Sequence, residues 1–167
     1  MEYTHFYKFS KNPSRIKNGK KKFADAVNAA KYCIDRLPKR IYSVNDDGKR
    51  TSYRLYPLCG GNGYGMSIFR DDCICFNGDA KHNQNSATFV LHNDYNYCNF
   101  CNTARKPYDV AVCIALLCFK FYFGDDFYFT SDGDMEKGEE GWKRAKRITD
   151  KYFMEECRKT AAFQNTL

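Results

Sequence analysis

The amino-acid sequence predicts an α+β domain in which an antiparallel sheet of four to five strands packs against a buried central helix. Two further amphipathic helices are expected to cover the rest of the core. Three observations predict this class: helical spacing of apolar residues near both ends of the chain, short alternating segments in its middle, and one long apolar segment. With 167 residues, 43% of them hydrophobic, the chain is long enough to bury a core without disulfides or metals as staples.

The first helix is predicted by apolar residues that recur every three or four positions and end before Pro38. These residues are Phe23, Val27, Ala30, Ile34 and Leu37. Asn18 precedes the pattern and is the expected N-cap residue. We expect residues 1–18 to form a basic N-terminal lead, with a short extended piece at 3–9, ahead of a single α+β domain over residues 19–158.

The middle of the chain predicts antiparallel strands. Residues 41–44 and 51–58 flank an Asp-Gly turn signal at 45–48, which predicts a β-hairpin. The glycine-rich cluster at 60–65 lacks the following Lys-Ser or Lys-Thr of a phosphate loop, so we expect a turn there. Further short strands are predicted at 66–69, 73–76, 88–92 and 127–130.

The central helix is predicted over residues 108–123, where only two residues are charged. Pro107 at its start and Gly124 beyond its end are matched start and stop signals. The segment is too short to span a membrane, and no other stretch approaches the necessary apolar length. The last helix is predicted over residues 139–156, followed by a frayed tail over 159–167.

The net charge of +7 lies entirely in one segment of the sequence. Residues 8–22 contain seven cations and no acidic residue, so the rest of the chain carries 20 charges of each sign. Such a run is either a solvated arm or a polyanion-binding patch. The lysines at 20–22 crowd the start of the first helix, where a bound anion would relieve their repulsion from the helix dipole. The candidate contacts to a polyanion are Arg15, Lys17, Lys20, Lys21 and Lys22.

Aromatic residues make up 17% of the sequence, with 14 Phe, 13 Tyr and one Trp. Most of these rings are expected in the core, because large apolar side chains are usually buried. Their abundance, together with that of Lys and Asn, is also what an AT-rich coding sequence produces. An exposed Tyr or Phe beside a basic residue is instead able to stack on an unpaired base of any identity. The composition leaves both roles open.

Two pairs of cysteines have spacings that are compatible with a tetrahedral zinc site. Cys73 and Cys75 lie on one face of a predicted strand, and Cys98 and Cys101 have C-x-x-C spacing. The alternative, which we favour, is that these thiols are small buried apolar residues, so that no cofactor is expected. The first residues lack a secretory signal, which predicts a cytosolic protein with reduced cysteines.

The sequence contains no complete catalytic motif. His5, His82 and His92 are its histidines, and Asp79 with His82 and His92 would form an acid/base group if the sheet brought them together. Paired acidic residues fall at predicted turns, where Asp is favoured by its local hydrogen bonds. A metal- or histidine-dependent phosphodiesterase or nuclease is therefore the enzymatic alternative to a binding protein.

The C-terminal third of the chain resembles a known class of proteins. The segments 100–112 and 129–134, followed by Trp142, are similar to a pattern in small accessory proteins encoded by bacterial phages and mobile elements. The resemblance implies a setting in which the protein acts on host machinery or defence systems, CRISPR effectors included. It assigns no role to any residue.

We therefore expect a phage-type accessory protein of the host cytoplasm that binds and inhibits a nucleic-acid-processing or defence complex, as an anti-CRISPR protein does. The expected partner is a host protein or nucleoprotein complex, with nucleic acid itself as a further candidate and no membrane involved. Binding would use a basic and aromatic surface. Beyond the basic segment, the expected contributors are Arg105, Lys106 and Tyr108, which otherwise only begin the buried helix.

Overall fold

The computed structural model describes residues 2–44, 47–95, 97–133 and 140–164. Within these ranges the chain has the α+β fold that the sequence predicts, with three α-helices and eight β-strands. The helices are α1 (Gly19–Ile34), α2 (Asp109–Phe123) and α3 (Glu140–Gln164). The strands are β1 (Thr4–Phe9), β2 (Arg40–Val44), β3 (Arg50–Arg54), β4 (Ile68–Arg70), β5 (Cys73–Phe76), β6 (Phe89–His92), β7 (Asn99–Asn102) and β8 (Phe127–Ser131).

The strands form three small antiparallel sheets rather than the one sheet of four to five strands that the sequence predicts. One sheet has the order β7-β1-β8, the second is the β2–β3 hairpin, and the third has the order β4-β5-β6. The single-sheet prediction is wrong because β1 lies between β7 and β8 and pairs with both, so these strands do not extend the middle sheet. The hairpin is confirmed, although Asn45 and Asp46 of its predicted turn lie outside the described residues.

Strand β1 is the central strand of its sheet, so residues 4–9 are part of the folded domain rather than of a lead before it. Its side chains alternate between the two faces of the sheet, as the two-residue period of a strand requires. His5, Tyr7 and Phe9 are buried, whereas Phe6 and Lys8 point outward and are exposed. The first strand therefore supplies both a part of the core and a part of the surface.

Helix α2 is the buried central helix that the sequence predicts. Its Phe119 is fully buried and contacts rings from three other elements, namely Phe9 of β1, Phe23 of α1 and Phe127 of β8. The ring centroids of these pairs are 5.0 to 6.1 Å apart, within the range that aromatic pairs favour. The aromatic residues at the centre of the core thus join the first strand, the first helix and the last strand.

The start of α1 differs from the predicted capping. Asn18 occupies the N-cap position in a left-handed conformation with φ of 58°, and its side chain makes no capping hydrogen bond. The N–H of Gly19 donates instead to the carbonyl oxygen of Ile16 at 2.8 Å. A Cβ atom at position 19 would lie 1.8 Å from the carbonyl oxygen of Pro13, so only glycine allows this close approach.

Helix α3 extends to Gln164, past the end predicted at residue 156. Trp142 is buried on its inner face, as predicted, and stacks on Phe129 with 5.6 Å between the ring centroids. The predicted start at Glu139 lies outside the described residues. No helix in the described ranges has the length and apolar character that crossing a membrane would require.

Replacement of Phe119 by alanine should destabilise the fold strongly. The change leaves a cavity among Phe9, Phe23 and Phe127, and we expect a loss of about 3–5 kcal/mol in the free energy of unfolding. Phe121 lies on the same helix but is 54% exposed, so Phe121→Ala is a matched control with a smaller expected loss. Urea denaturation measures both variants, and equal losses would contradict the central role of Phe119.

Candidate functional site

The outer face of the β7-β1-β8 sheet carries a group of exposed aromatic side chains. Phe6 of β1 is 44% exposed, Phe100 of β7 is 65% exposed and Tyr128 of β8 is 49% exposed. All three rings lie on one side of the sheet, because their neighbours in sequence point toward the core. Lys8 and Thr130 are exposed on this side as well, and we call these five residues the sheet face.

The strand register places the rings of the sheet face side by side. Phe6 lies directly opposite Phe100 on one neighbouring strand and opposite Thr130 on the other. Lys8 lies opposite Tyr128 and two residues along β1 from Phe6. Directly opposed residues have Cβ atoms about 4.5–5.5 Å apart and diagonal neighbours are about 7–8 Å apart, so Phe6 adjoins Phe100 directly and Tyr128 diagonally. Lys8 is the one cation among these five residues, and the exposed Asp132 borders them, where its Oδ2 accepts a hydrogen bond from the N–H of Thr4 at 2.8 Å.

Two further exposed rings lie at one end of the same sheet. Tyr95 and Tyr97 are 55% and 66% exposed and stack on each other, with 5.9 Å between the ring centroids. They precede β7, whose first residues pair with the C-terminal half of β1. Asn12 donates through Nδ2 to the carbonyl oxygen of Asp94 at 2.6 Å, which ties the loop of these tyrosines to the basic segment over residues 8–22.

The basic segment is a surface feature. Its exposed cations are Lys8, Lys11, Arg15, Lys17, Lys20 and Lys21, whereas Lys22 is half-buried. Lys21 pairs with Asp25 one helical turn away, with 2.6 Å between the charged atoms. An exposed pair of this kind contributes little to stability and is weakened by salt. Four of the predicted contacts to a polyanion, Arg15, Lys17, Lys20 and Lys21, are therefore accessible, and the basic segment begins with Lys8 on the sheet face.

Among the residues before α2, Tyr108 does not form the exposed contact that the sequence predicts. Tyr108 is fully buried, its hydroxyl donates to the carbonyl oxygen of Ala87 at 2.6 Å, and burial raises the pKa of this hydroxyl. Arg105 is half-buried, with its guanidinium carbon 4.1 Å from the centroid of the Tyr3 ring. Lys106 donates through Nζ to a backbone carbonyl at 2.8 Å. The prediction of Tyr108 as a partner contact is wrong, because its ring packs inside the domain.

The predicted four-cysteine zinc site does not form. Cys73 and Cys75 lie on β5, whereas Cys98 is exposed just before β7 and Cys101 is buried within β7. Cys101 donates through Sγ to a backbone carbonyl at 3.4 Å, and burial raises the pKa of this thiol to about 12. Among the described residues, these four sulfur atoms do not belong to any group close enough to hold a metal ion. The zinc interpretation, the less favoured of the two given for these cysteines, is therefore wrong, and β5 and β7 belong to different sheets.

The predicted acid/base group forms only in part. His82 Nδ1 lies 2.7 Å from Asp79 Oδ2, and this hydrogen bond is the main reason why the pKa of Asp79 is lowered. The His82 ring also stacks on Tyr56, with 3.5 Å between the ring centroids. His92 lies on β6 and contacts Tyr95 instead. The histidine and carboxylate of the pair are thus brought together without the third predicted member.

A second group of polar side chains meets inside the domain, at the start of α2. His5 Nε2 lies 2.8 Å from Asp109 Oδ1, and the hydroxyl of Thr103 donates to the same oxygen at 2.5 Å. Cys113 donates through Sγ to Asp109 Oδ2 at 3.7 Å. His5 and Cys113 are fully buried, whereas the side chain of Asp109 is 13% exposed. We call His5, Asp109 and Cys113 the buried cluster.

The buried cluster is not predicted from the sequence. Asp109 lies within the predicted central helix without an assigned role, and His5 is separated from it by 104 positions. The one local signal is the spacing of four residues between Asp109 and Cys113, which puts both side chains on one side of a helix. A spacing of this kind is common by chance and carries information only once His5 is known to lie nearby.

Comparisons of the chain with family models, with curated proteins and with solved structures found no match. The resemblance of the C-terminal third to phage accessory proteins stays a prediction. The function is therefore inferred from the sheet face, the basic segment and the chemistry of the buried groups.

Thiol labelling should separate the exposed cysteines from those in the core. Cys98 and Cys157 are exposed and should react rapidly with an aromatic disulfide reagent near pH 8. Cys101 should stay unreacted in the native protein, because it is buried and its pKa is raised to about 12. The double variant Cys98→Ser, Cys157→Ser is expected to lose the fast phase. A fast phase that persists in this variant would contradict the assignment, and the denatured chain, with nine reactive thiols, is the control.

Proposed function

We propose that the protein binds single-stranded nucleic acid through the sheet face and the adjoining basic segment. One observation carries the proposal: Phe6, Phe100 and Tyr128 lie on three adjacent strands, exposed and on the same side of the sheet. Lys8 lies among them, and the basic segment continues from the same strand.

Aromatic rings on an open surface bind unpaired bases by stacking. Every base has a π face, so stacking tolerates any sequence and contributes about 1–3 kcal/mol per base. In a duplex these faces are covered by neighbouring bases, so a flat surface of rings selects unpaired strands. The sheet face offers three rings to successive bases, and it offers them on a rigid antiparallel sheet rather than on a loop.

The basic segment supplies the complementary charge. Phosphate groups accompany the bases along a strand, and each contact with Lys or Arg releases a condensed counterion, which favours binding at low salt. Lys11, Arg15 and Lys17 are exposed just beyond the end of β1, on the segment that contacts the loop of Tyr95 and Tyr97. This arrangement would let one strand stack on the sheet face and then follow the cations.

Removal of the three rings should reduce the affinity for single strands. The triple variant F6A/F100A/Y128A is expected to bind labelled oligothymidine and oligouridine at least tenfold more weakly, from the loss of about 1–3 kcal/mol per stacked base. Fluorescence anisotropy measures the affinity. All three rings are exposed, so the variant should remain folded in the urea denaturation that checks it.

The matched control is Tyr64→Ala, since Tyr64 is 62% exposed but lies outside the sheet face. It should bind as the wild type does, and equal binding by the triple variant would refute the proposal.

Replacing Lys8 and Lys17 by glutamine should lower the salt dependence of binding, by about one counterion per lost phosphate contact. If the protein cleaves the oligonucleotide and His82→Ala abolishes this cleavage, the result would favour the enzymatic alternative, because the Asp79–His82 pair has the geometry of a general base.

We infer further that such a protein inhibits a host complex by masking a strand. The support is the resemblance to phage accessory proteins together with the sheet face, which needs no reaction to be effective. In the host cytoplasm it would cover the single-stranded substrate or guide that a nucleic-acid-processing or CRISPR-type complex exposes. The amount of protein needed for such masking is proportional to the length of single strand that is covered.

Inhibition should therefore be stoichiometric. When a CRISPR effector or another single-strand nuclease is titrated, we expect activity to fall until about one equivalent of protein per exposed strand segment is present. The F6A/F100A/Y128A variant should not inhibit, whereas Tyr64→Ala should. Complete inactivation at a small fraction of one equivalent would contradict masking, because it would require turnover.

A further inference from the structure

We propose that the buried cluster of His5, Asp109 and Cys113 binds one zinc ion. Its potential ligand atoms are an imidazole nitrogen, a carboxylate oxygen and a sulfur, and all lie within 4.8 Å of one another. In the part of the chain that the structure describes, no other three side chains of these types come together in this way. The proposal is independent of the sheet face, since His5 and Phe6 point to opposite sides of β1.

The three donors match the preferences of zinc. Zn²⁺ binds imidazole nitrogen, thiolate sulfur and carboxylate oxygen at about 2.0–2.3 Å in a tetrahedral arrangement, so three protein ligands leave the fourth position to a water molecule. A neutral imidazole, a carboxylate and a thiolate together balance the charge of the ion, which matters in a site largely shielded from water. Binding releases the thiol proton of Cys113 to solvent, requires the His5 tautomer whose proton is on Nδ1, and replaces the hydrogen bonds within the buried cluster by bonds to the metal.

Two elements of the fold position the ligands. Asp109 and Cys113 are four residues apart on α2, so both side chains project from one side of the helix. His5 approaches from β1, and its ring makes edge contacts with Tyr3 and Trp142, whose ring centroids are 5.3 and 5.6 Å away. Nδ1 of His5 is buried without a hydrogen-bond partner among the described residues. Nε2 faces Asp109 and is therefore the ligand atom.

Contacts outside the buried cluster orient the carboxylate of Asp109. The hydroxyl of Thr103 donates to Oδ1 at 2.5 Å, and hydrogen bonds of this kind commonly fix carboxylate ligands. Gly141 leaves room for the other oxygen, since a Cβ atom there would lie 3.0 Å from Oδ2. The partial exposure of the Asp109 side chain gives the ion a path from solvent. A bound ion would tie the central strand to the central helix.

Cobalt(II) provides the test, because its bond to a thiolate absorbs in the near ultraviolet. Metal-free protein titrated with Co²⁺ should develop this band and saturate at one equivalent, and added Zn²⁺ should bleach it. Cys113→Ser should abolish the band. Cys118→Ser should retain it, because Cys118 is also buried on α2 but lies outside the buried cluster. Zinc should also raise the thermal unfolding midpoint of the wild type and not that of Cys113→Ser.

The absence of a thiolate band in the wild type, or its persistence in Cys113→Ser, would overturn the proposal and leave a hydrogen-bonded group only. If Cys113→Ser does not fold, Asp109→Asn serves as the second variant. It keeps an acceptor for Thr103 but is a weaker ligand, so zinc affinity should fall at least tenfold, and an unchanged affinity would overturn the proposal. Less than about a tenth of an equivalent of zinc retained after loading would do the same.

Discussion

The pairing of β1 with β7 on one side and with β8 on the other is the constraint on which the rest of the structure depends. It joins the first residues of the chain to two segments that follow about a hundred positions later. Because side chains alternate along a strand, a slip of one residue would turn Phe6 into the core and expose His5 and Tyr7. The register of β1 therefore determines both the exposed rings of the sheet face and the position of His5 in the buried cluster. Phe119 of α2 packs against the buried side, and Phe6, Phe100 and Tyr128 are exposed on the outer side.

Local patterns predict the helices well and the sheets poorly. The period of apolar residues, with Pro107 and Gly124 as boundaries, predicts α2 to within one residue, because each signal acts over a single turn. Strand pairing has no such local signal, so β1 is expected only as part of a basic lead. Strand β7 is missed altogether, since its four residues hold only two apolar side chains, Phe100 pointing outward and Cys101 inward. The sheet order follows from contacts between distant segments, which one sequence does not contain.

The candidate sites show the same difference between features with a local signal and features formed by distant segments. The accessibility of the basic segment is predicted, because a run of cations is seldom buried. Cysteine spacing does not predict the candidate metal site, because it relates only residues that are close in sequence. The buried cluster is instead formed by residues from β1 and α2. Tyr108 shows a related limit: its position beside Lys106 suggests a surface residue, yet its hydroxyl reaches a carbonyl inside the domain. The direction in which a loop side chain points depends on the backbone angles, such as the positive φ of Arg105. The residue types alone do not determine these angles.

An AT-rich coding sequence would account for the number of Tyr and Phe residues but not for their positions. Single exposed rings such as Tyr64 are ordinary on a protein surface. Phe6, Phe100 and Tyr128 differ because the strand register brings them together from distant parts of the chain. Strand propensity does not require rings there, since β-branched residues suit an open sheet face equally well, and adjoining exposed apolar side chains usually mark an interaction site. Exposed cations nearby favour a ligand that combines flat apolar groups with negative charge, and we propose unpaired bases on a phosphate backbone because they meet both conditions.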